Sequence, residues 1–417
     1  MRIYLVLCFC LAAGATAASG ADDFIDRVDE ALTWAGCHNQ LRARLSGTLS
    51  LEGYHFTSSP PGLISTEDSS LGETRLSLFL DAQLGAQVYF FAQSQLDHGF
   101  DPSDGDWEWR LDEYALRLSP RADGAFHLQF GKFATVVGNW VPRHLAWDNP
   151  FVTAPLPYEN LTGMWDVAPV RSLDTLLTWA FIKPQTPPRS ESADKALRLP
   201  IIWGASYTTG AAISGVMGRV DYAFEIKNAA LASRPEEWDA SESQWQDPTI
   251  SGRLGYRPDE RWNLGFSASS GSYLSAAARS KLPAGRSGDE YQEVVLGQDI
   301  GYAWHRLQFW AECYEASFKI PRIGQAKTVA YYLEAKYRFT PRFFGALRWN
   351  QQLYGSLEDA RGDSVRWGRD VWRLDFGAGY RFTAHAAVKL QYSHQFGGIG
   401  THDQHSDTLA GQFVLRF

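Results

Sequence analysis

The sequence predicts an all-β protein, a transmembrane antiparallel β-barrel of about 18 strands. Apolar and polar residues alternate with a period of two over most of the chain. Tight turns alternate with long polar segments, and aromatic residues gather near the ends of the alternating stretches. Beyond the N-terminal segment, no stretch approaches the roughly 20 apolar residues that a membrane helix needs.

The first 21 residues have the three parts of a secretory signal peptide. Arg2 precedes an apolar run at residues 3–13, and small residues follow at 14–21. The apolar run is too short to cross a hydrocarbon layer of roughly 30 Å. We therefore expect cleavage after Ala17 or after Ala21, and the sequence leaves both sites open.

Composition argues against several classes of function. The net charge of −8 and the pI near 5.7 argue against a nucleic-acid partner, which would require clustered Lys and Arg. Cys37 and Cys313, which remain after signal cleavage, have no metal-ligand spacing. His402 and His405 flank Asp403 in a predicted outer loop, where solvated side chains are the simpler interpretation. No phosphate loop, nucleophile elbow or zinc helix occurs, so the sequence predicts neither an enzyme nor a cofactor.

Residues 22–40 are predicted to form a short periplasmic segment before the barrel, which we place at 41–417. Apolar residues recur there at three- and four-residue steps, as on one face of an amphipathic helix. They are Phe24, Ile25, Val28, Leu32 and Ala35.

Alternation is clearest at residues 75–84, where a run of leucines and one alanine opposes a polar face. The apolar face is Leu76, Leu78, Leu80, Ala82 and Leu84, and the polar face includes Arg75, Ser77, Asp81 and Gln83. A soluble β-sandwich alternates too, so the connections decide between the two. Short turns at one end and long loops at the other are typical of an outer-membrane barrel.

The same asymmetry gives the strand count. With both termini on the periplasmic side, short and long connections must alternate without exception. Reading residues 134–171 as one loop would place the polar segment 183–199 in the periplasm. An additional strand at residues 158–166 restores the alternation and gives 18 strands, with 16 as the alternative.

Two segments resemble known porins. The last strand ends on Phe417, like the signal that the barrel-assembly machinery recognises. The segment Gln129-Phe130-Gly131-Lys132-Phe133, followed by Gly138-Asn139-Trp140-Val141-Pro142-Arg143 and Asn149-Pro150-Phe151, resembles the phosphate-selective porin O and P superfamily. Val136-Val137-Gly138 departs from that family's Pro-Phe-Gly step. The resemblance implies a porin, typically a homotrimer.

A porin needs a constriction and a polar wall. We expect residues 134–157 to fold inward as a constriction loop. Its candidate residues, with one at the strand end before it, are Lys132, Trp140, Arg143, His144, Trp147 and Asp148. Cations on the lumen face of the C-terminal strands, interrupted by Glu334 and Asp375, are Lys336, Arg338, Arg348, Arg373, Arg381, Lys389 and Arg416.

The sequence thus predicts a bacterial outer-membrane porin for passive diffusion of small hydrophilic solutes or ions. Its expected partners are outer-membrane lipids, the barrel-assembly machinery, these solutes and two further copies of the chain. A substrate-specific or export channel for anionic solutes is the alternative, and an outer-membrane enzyme is a third. Ion selectivity, strand number and the solute itself stay open at this level.

Overall fold

The computed structural model describes residues 18–36, 40–58, 62–66, 68–99, 106–181, 195, 197–239, 245–282, 284–397 and 405–417. Most of the predicted signal peptide, Cys37, His402 and Asp403 lie outside these residues. No helix in the described ranges is long and apolar enough to span a membrane.

Sixteen strands among the described residues form one closed antiparallel barrel. They are β1 Leu41–Phe56, β2 Ser70–Leu84, β3 Val88–Asp97, β4 Glu108–Leu118, β5 His127–Phe133, β6 Thr208–Met217, β7 Val220–Lys227, β8 Thr249–Tyr256, β9 Trp262–Ser272, β10 Gln292–Trp304, β11 Leu307–Ile320, β12 Gly324–Arg338, β13 Phe343–Tyr354, β14 Val371–Arg381, β15 Ala386–Gly397 and β16 His405–Arg416.

Each strand pairs with its sequence neighbours, and β16 closes the ring on β1 from Thr408 opposite Phe56 to Arg416 opposite Thr48. Closure leaves no unpaired strand edge, as a barrel in a membrane requires. The alternative count of 16 is therefore confirmed, and the count of 18 is wrong.

The N-terminal segment forms helix α1, Ala18–Ala31, and then a short strand outside the barrel, Thr33–Gly36. This strand pairs with the first residues of β1, where Gly36 lies opposite Leu41. It continues the ladder below the end of β16, because the backbone of Phe417 already bonds Gly47 in both directions. The predicted helix thus ends earlier than Ala35.

The outward faces of the strands carry exposed aliphatic and aromatic side chains, as the alternation predicts. Mid-strand examples are Leu51, Leu116, Ile213, Leu254, Leu296, Leu333, Leu347, Phe376, Leu390 and Leu409. Aromatic rings cluster at one end of β9 to β14, in Trp262, Trp304, Tyr337, Phe339, Phe343 and Tyr380. Rings at this position are typical of the interfacial girdle of a membrane barrel.

Connections at the end with the termini are short: residues 85–87, 119–126, 218–219, 257–261, 305–306, 339–342 and 382–385. We take this as the periplasmic end. At the other end, residues 134–207 form one long connection between β5 and β6, and its described residues at 134–181 and 197–207 pack into the lumen. It contains helices α2, Leu156–Glu159, and α3, Leu173–Phe181.

The strand predicted at residues 158–166 is wrong. This segment is part of α2 followed by irregular chain in the lumen. Its backbone bonds the returning part of the same connection, through Thr162 N–H to the Leu199 carbonyl and Leu199 N–H to the Met164 carbonyl. The polar segment at 183–199, most of which lies outside the described residues, belongs to this same connection, so short and long connections alternate without an additional strand.

The main hydrophobic core lies inside the barrel, between the inward connection and the wall. Val137, Trp140, Tyr158 and Met164 of the connection belong to one buried cluster with inward residues of β11 and β12 such as Tyr332. Packing of this extent makes the connection part of the folded interior.

Candidate functional site: the lumen and its inward-folded connection

The connection enters the lumen through a turn at Gly138, whose φ of 80° lies in the left-handed region. A Cβ at this position would collide with the hydroxyls of Tyr314 and Tyr158. Glycine is therefore required on both conformational and steric grounds.

Carboxylates on the wall hold this turn. Glu312 of β11 accepts hydrogen bonds from the backbone N–H groups of Asn139 and Trp140, the latter at 2.9 Å, and from the Tyr158 hydroxyl at 2.7 Å. Glu225 of β7 accepts from the Thr135 hydroxyl at 2.7 Å. Charge-assisted hydrogen bonds of this kind are the strongest available inside a protein.

Cations on the opposite wall hold the middle of the connection. The Lys389 ammonium donates to the carbonyls of Ala146, Asn149 and Phe151 at 2.7, 2.9 and 3.2 Å. The Arg373 guanidinium pairs with Glu159 of α2 and donates to the Ala154 carbonyl at 2.6 Å.

Arg348 completes this set of anchors. It donates to the Thr153 carbonyl at 3.1 Å and lies between two wall carboxylates, Asp375 at 2.8 Å and Glu334 at 3.6 Å. Burial of a charge is tolerated only when it is paired and hydrogen-bonded, and these contacts meet that condition. Arg348, Arg373 and Lys389 are buried against the connection.

The predicted constriction residues of the connection have different environments. Trp140 is buried against Tyr158, with ring centroids 4.5 Å apart. His144 contacts the Tyr207 hydroxyl at 2.5 Å. Arg143 pairs with Glu334 at 2.5 Å and lies over the Trp310 ring.

Two adjoining cavities of about 1050 and 510 Å³ open near the periplasmic turns. Both are lined by Gln308 and Trp310. The smaller cavity is also lined by Arg143 and Asp148 of the connection. Arg143 and Asp148, two of the predicted constriction residues, therefore share one cavity, although Arg143 is paired with Glu334 of the wall.

We call the smaller cavity the periplasmic vestibule. Five cations lie near it, at the ends of β12, β14 and β16 and in the turn after β12. They are Lys336, Arg338, Arg342, Arg381 and Arg416, which we call the basic arc. Four of them line the cavity, and the fifth, Arg416, lies over the ring of Trp147. Within the described part of the chain, none of the five has a carboxylate oxygen within 4 Å.

Aromatic rings support the basic arc. Trp147 has Arg416 and Arg381 over its ring at 4.1 and 5.1 Å, and Lys336 lies 4.4 Å from the centroid of Phe344. Such cation–π contacts orient the cations without neutralising them. The cations predicted on the lumen wall thus form two groups. Arg348, Arg373 and Lys389 are buried against the connection, and those nearer the periplasmic end lie beside the vestibule without a carboxylate partner.

The inward connection covers the inner wall of β2 to β5 less than it covers the wall at β14 and β15. Phe79, Tyr89, Phe91, Arg117 and Gln129 keep part of their surface accessible in the periplasmic half of the barrel. Arg117 bonds the Gln129 side chain at 2.8 Å. The water-accessible side of the lumen therefore lies along these strands and the vestibule.

At the extracellular end the connection is tied to two loops. Arg234, after β7, forms an ion pair with Asp166 at 2.8 Å, and the N–H of Ser275, after β9, donates to the Asp166 carbonyl. Burial raises the pKa of Asp166 to about 6. Lys132 lies at the same end of β5, where its ammonium is 3.1 Å from Asp239 of the β7–β8 loop.

Sequence reasoning missed several of these residues. Arg342 stands in the turn between β12 and β13, and only the folded barrel brings it to the cavity. Glu159, Thr153 and Gln391 anchor the connection, and no spacing in the sequence relates them. Gln391 accepts from the backbone N–H of Val152 at 2.7 Å.

The fold and the lumen define a barrel of the outer-membrane porin type. No family model matches the chain, and no curated protein matches it in sequence. Among solved structures, it is similar to an anion-selective porin from Comamonas acidovorans, with 10% identity, 90% of this chain and 100% of that chain covered, and a TM-score of 0.55.

Two further structures show the same likeness. The outer-membrane channel DcaP of Acinetobacter baumannii has 10% identity, covers 92% of this chain and 100% of that one, and gives a TM-score of 0.55. The trimer form of OmpT from Vibrio cholerae has 8% identity, coverage of 90% and 99%, and a TM-score of 0.53. Identities this low establish the fold alone, and membership of the phosphate-selective superfamily stays a prediction.

Proposed function

We propose that this chain is an outer-membrane porin through which small hydrophilic solutes and ions diffuse passively, with anions favoured. The observation that carries the proposal is the basic arc, five cations beside a vestibule that contains Asp148 as a carboxylate on the connection. Fixed charges at the narrow part of a pore determine which ions pass.

The buried part of the wall contributes little net field. Arg348 and Arg373 lie beside Asp375, Glu334 and Glu159, so their charges are compensated within the wall and the connection. The arc cations have no carboxylate oxygen within 4 Å in the described part of the chain, so their field on solutes in the vestibule is reduced by water, by salt and by the more distant Asp148.

The test is the reversal potential in planar lipid bilayers under a KCl gradient. We expect the sign for anion preference in the natural protein, and a shift toward cations when Lys336 and Arg381 are both replaced by Gln. Arg121→Gln, in the turn after β4 and already paired with Asp123, is the matched control and is expected to leave the potential unchanged. Absence of conductance, or equal potentials in all three proteins, would refute the proposal.

A dedicated channel for anionic solutes is the second candidate. It is favoured by the inward connection, which fills much of the lumen and leaves the cations concentrated in one vestibule. One structural neighbour is named an anion-selective porin, which agrees with either candidate. Conductance that saturates with anion concentration would select the dedicated channel, and linear conductance would select passive diffusion.

Location and assembly belong to the same proposal. We propose export by an N-terminal signal peptide, insertion by the barrel-assembly machinery through the strand ending at Phe417, contact with outer-membrane lipids, and assembly as a homotrimer. The trimer form of a structural neighbour supports the last point. Membrane fractionation, N-terminal sequencing of the processed chain and migration of the unheated protein on a detergent gel test these steps.

A further inference from the structure

We propose that the basic arc is also a docking surface for an acidic polypeptide segment that approaches from the periplasm. This interaction is separate from solute conduction, and it concerns the rim that the arc shares with the periplasmic turns. Four observations support it. The cations lie in a row at the rim, the rim already contacts an acidic helix, the arc adjoins that contact, and the arc is accessible from the periplasmic side.

The arc cations lie at the periplasmic ends of three strands and in one turn. Arg338, Arg381 and Arg416 are each at or next to the last residue of a strand, and Arg342 stands in the turn after β12. Arg338, Arg342 and Arg416 are exposed. Because adjacent strands lie about 4.8 Å apart, cations at the ends of β12, β14 and β16 form a row rather than a single point of charge. A row of charges suits an extended polyanion.

The rim already binds an acidic segment of the chain itself. Helix α1 carries five carboxylates, on Asp22, Asp23, Asp26, Asp29 and Glu30, against one cation, Arg27. Asp29 pairs with Arg44 of β1 at 2.9 Å, and Asp26 contacts His385 in the turn after β14 at 2.9 Å. Ile25 is buried while Phe24 is exposed, so one apolar side chain and these two polar contacts join the helix to the rim.

The basic arc continues directly from this contact. The His385 ring contacts the carbonyl of Arg416 at 3.0 Å, and the Arg416 guanidinium donates to the carbonyl of Ala384 at 2.9 Å. The turn that receives α1 is therefore bonded to the first cation of the arc. From Arg416 onward, the same rim offers cations and no acidic segment of the described chain covers them.

The surface is accessible from one side. On the extracellular side of the same wall, Arg348, Arg373 and Lys389 are buried beneath the inward connection and bonded to it. A polymer arriving there meets no free cation of this row. A carboxylate-rich polypeptide is favoured over an acidic polysaccharide because α1, the acidic segment bound at this rim, is a polypeptide.

The experiment measures binding without conduction. Fluorescence anisotropy follows labelled decaglutamate on the full chain in lipid nanodiscs at physiological salt, with decaglutamine as the control peptide. We expect decaglutamate to bind, decaglutamine not to bind, and Arg342→Glu to weaken decaglutamate binding at least tenfold. Arg121→Glu is the matched charge reversal in another periplasmic turn and is expected to bind like the natural protein.

Equal weakening in both variants would show a general charge effect and overturn the proposal. Binding of dextran sulfate without binding of decaglutamate would overturn the choice of a polypeptide. In oriented bilayers, decaglutamate should block the current from the periplasmic compartment alone, and block from both compartments would count against the assigned surface. A protein that conducts nothing but binds the peptide would sink the proposed porin function and leave the docking surface intact.

Discussion

Replacement of Lys389 by Met should release the middle of the inward connection while the barrel stays folded. The ammonium makes three hydrogen bonds to carbonyls of residues 146–151. Hydrogen bonds to charged groups contribute roughly 1.5–3 kcal/mol each, although three on one group do not add fully. Removing the buried charge also removes its desolvation cost, so we expect a net loss of about 3 kcal/mol.

A loss of this size raises the equilibrium for local opening by on the order of 10²-fold. Hydrogen–deuterium exchange of peptides covering residues 145–157 measures that equilibrium directly. Single-channel recordings should show larger open-state noise in the same variant, because the freed segment borders the vestibule.

Lys336→Met is the matched control. It removes the same charge from the lumen face, but Lys336 contacts the Phe344 ring and, among the described residues of the connection, no backbone carbonyl. We expect it to change ion selectivity and leave exchange at residues 145–157 unchanged. Unaltered exchange in Lys389→Met, or the same increase in both variants, would refute the anchoring role.

Three further results are expected. Because burial raises the pKa of Asp166 to about 6, the folded protein keeps a proton here that the unfolded chain releases near pH 4, so this residue's contribution to the free energy of unfolding falls by about 2 kcal/mol as pH rises from 4 to 7. In guanidinium unfolding, the free energy of unfolding should fall more between pH 4 and pH 7 for the natural protein than for Asp166→Asn. The same pH dependence in both proteins would contradict this prediction. Gly138→Val should displace the turn from Glu312, seen as increased proteolysis within residues 134–157, whereas Gly85→Val in a periplasmic turn with open space around it serves as the control for backbone strain alone. Lys132→Ala should leave the reversal potential unchanged, because its partner is Asp239 in an extracellular loop, and a shift toward cations would place it in the pore after all.

The alternation of residues was sufficient to predict the barrel, because each strand must present one face to lipid and one to the interior. The strand count failed at residues 158–166, where the sequence does not alternate. The extra strand followed from counting connections, on the assumption that residues 183–199 form a loop of their own. A connection that folds into the lumen satisfies its backbone groups from within, as Leu199 and Thr162 do, and nothing local marks it.

Periodicity assigns a residue to a face of the barrel, but not to a depth of burial on that face. Lys336 and Lys389 both face the lumen, and the sequence treats them alike. In the fold, the connection covers Lys389 and leaves Lys336 beside a cavity. The contacts that separate them come from residues about 240 positions away, which no local pattern can reveal.

This division also explains how a chain with net charge −8 can present a cationic vestibule. A buried cation requires a partner, so folding the connection into the lumen brings Glu159 to Arg373 and the carbonyls of residues 146–151 to Lys389. A hydrated cation at the rim requires none, because water stabilises it. The connection therefore pairs Arg373 with Glu159, covers Lys389 and leaves the lower part of the row beside the vestibule, so the field in the vestibule depends on where the connection stops. Glu159→Gln would leave Arg373 without the carboxylate of the connection and should shift selectivity toward anions, whereas Lys389→Met removes a cation from the row and should shift selectivity toward cations. A common direction in the two variants would mean that the anchors do not govern the charge seen by a passing ion.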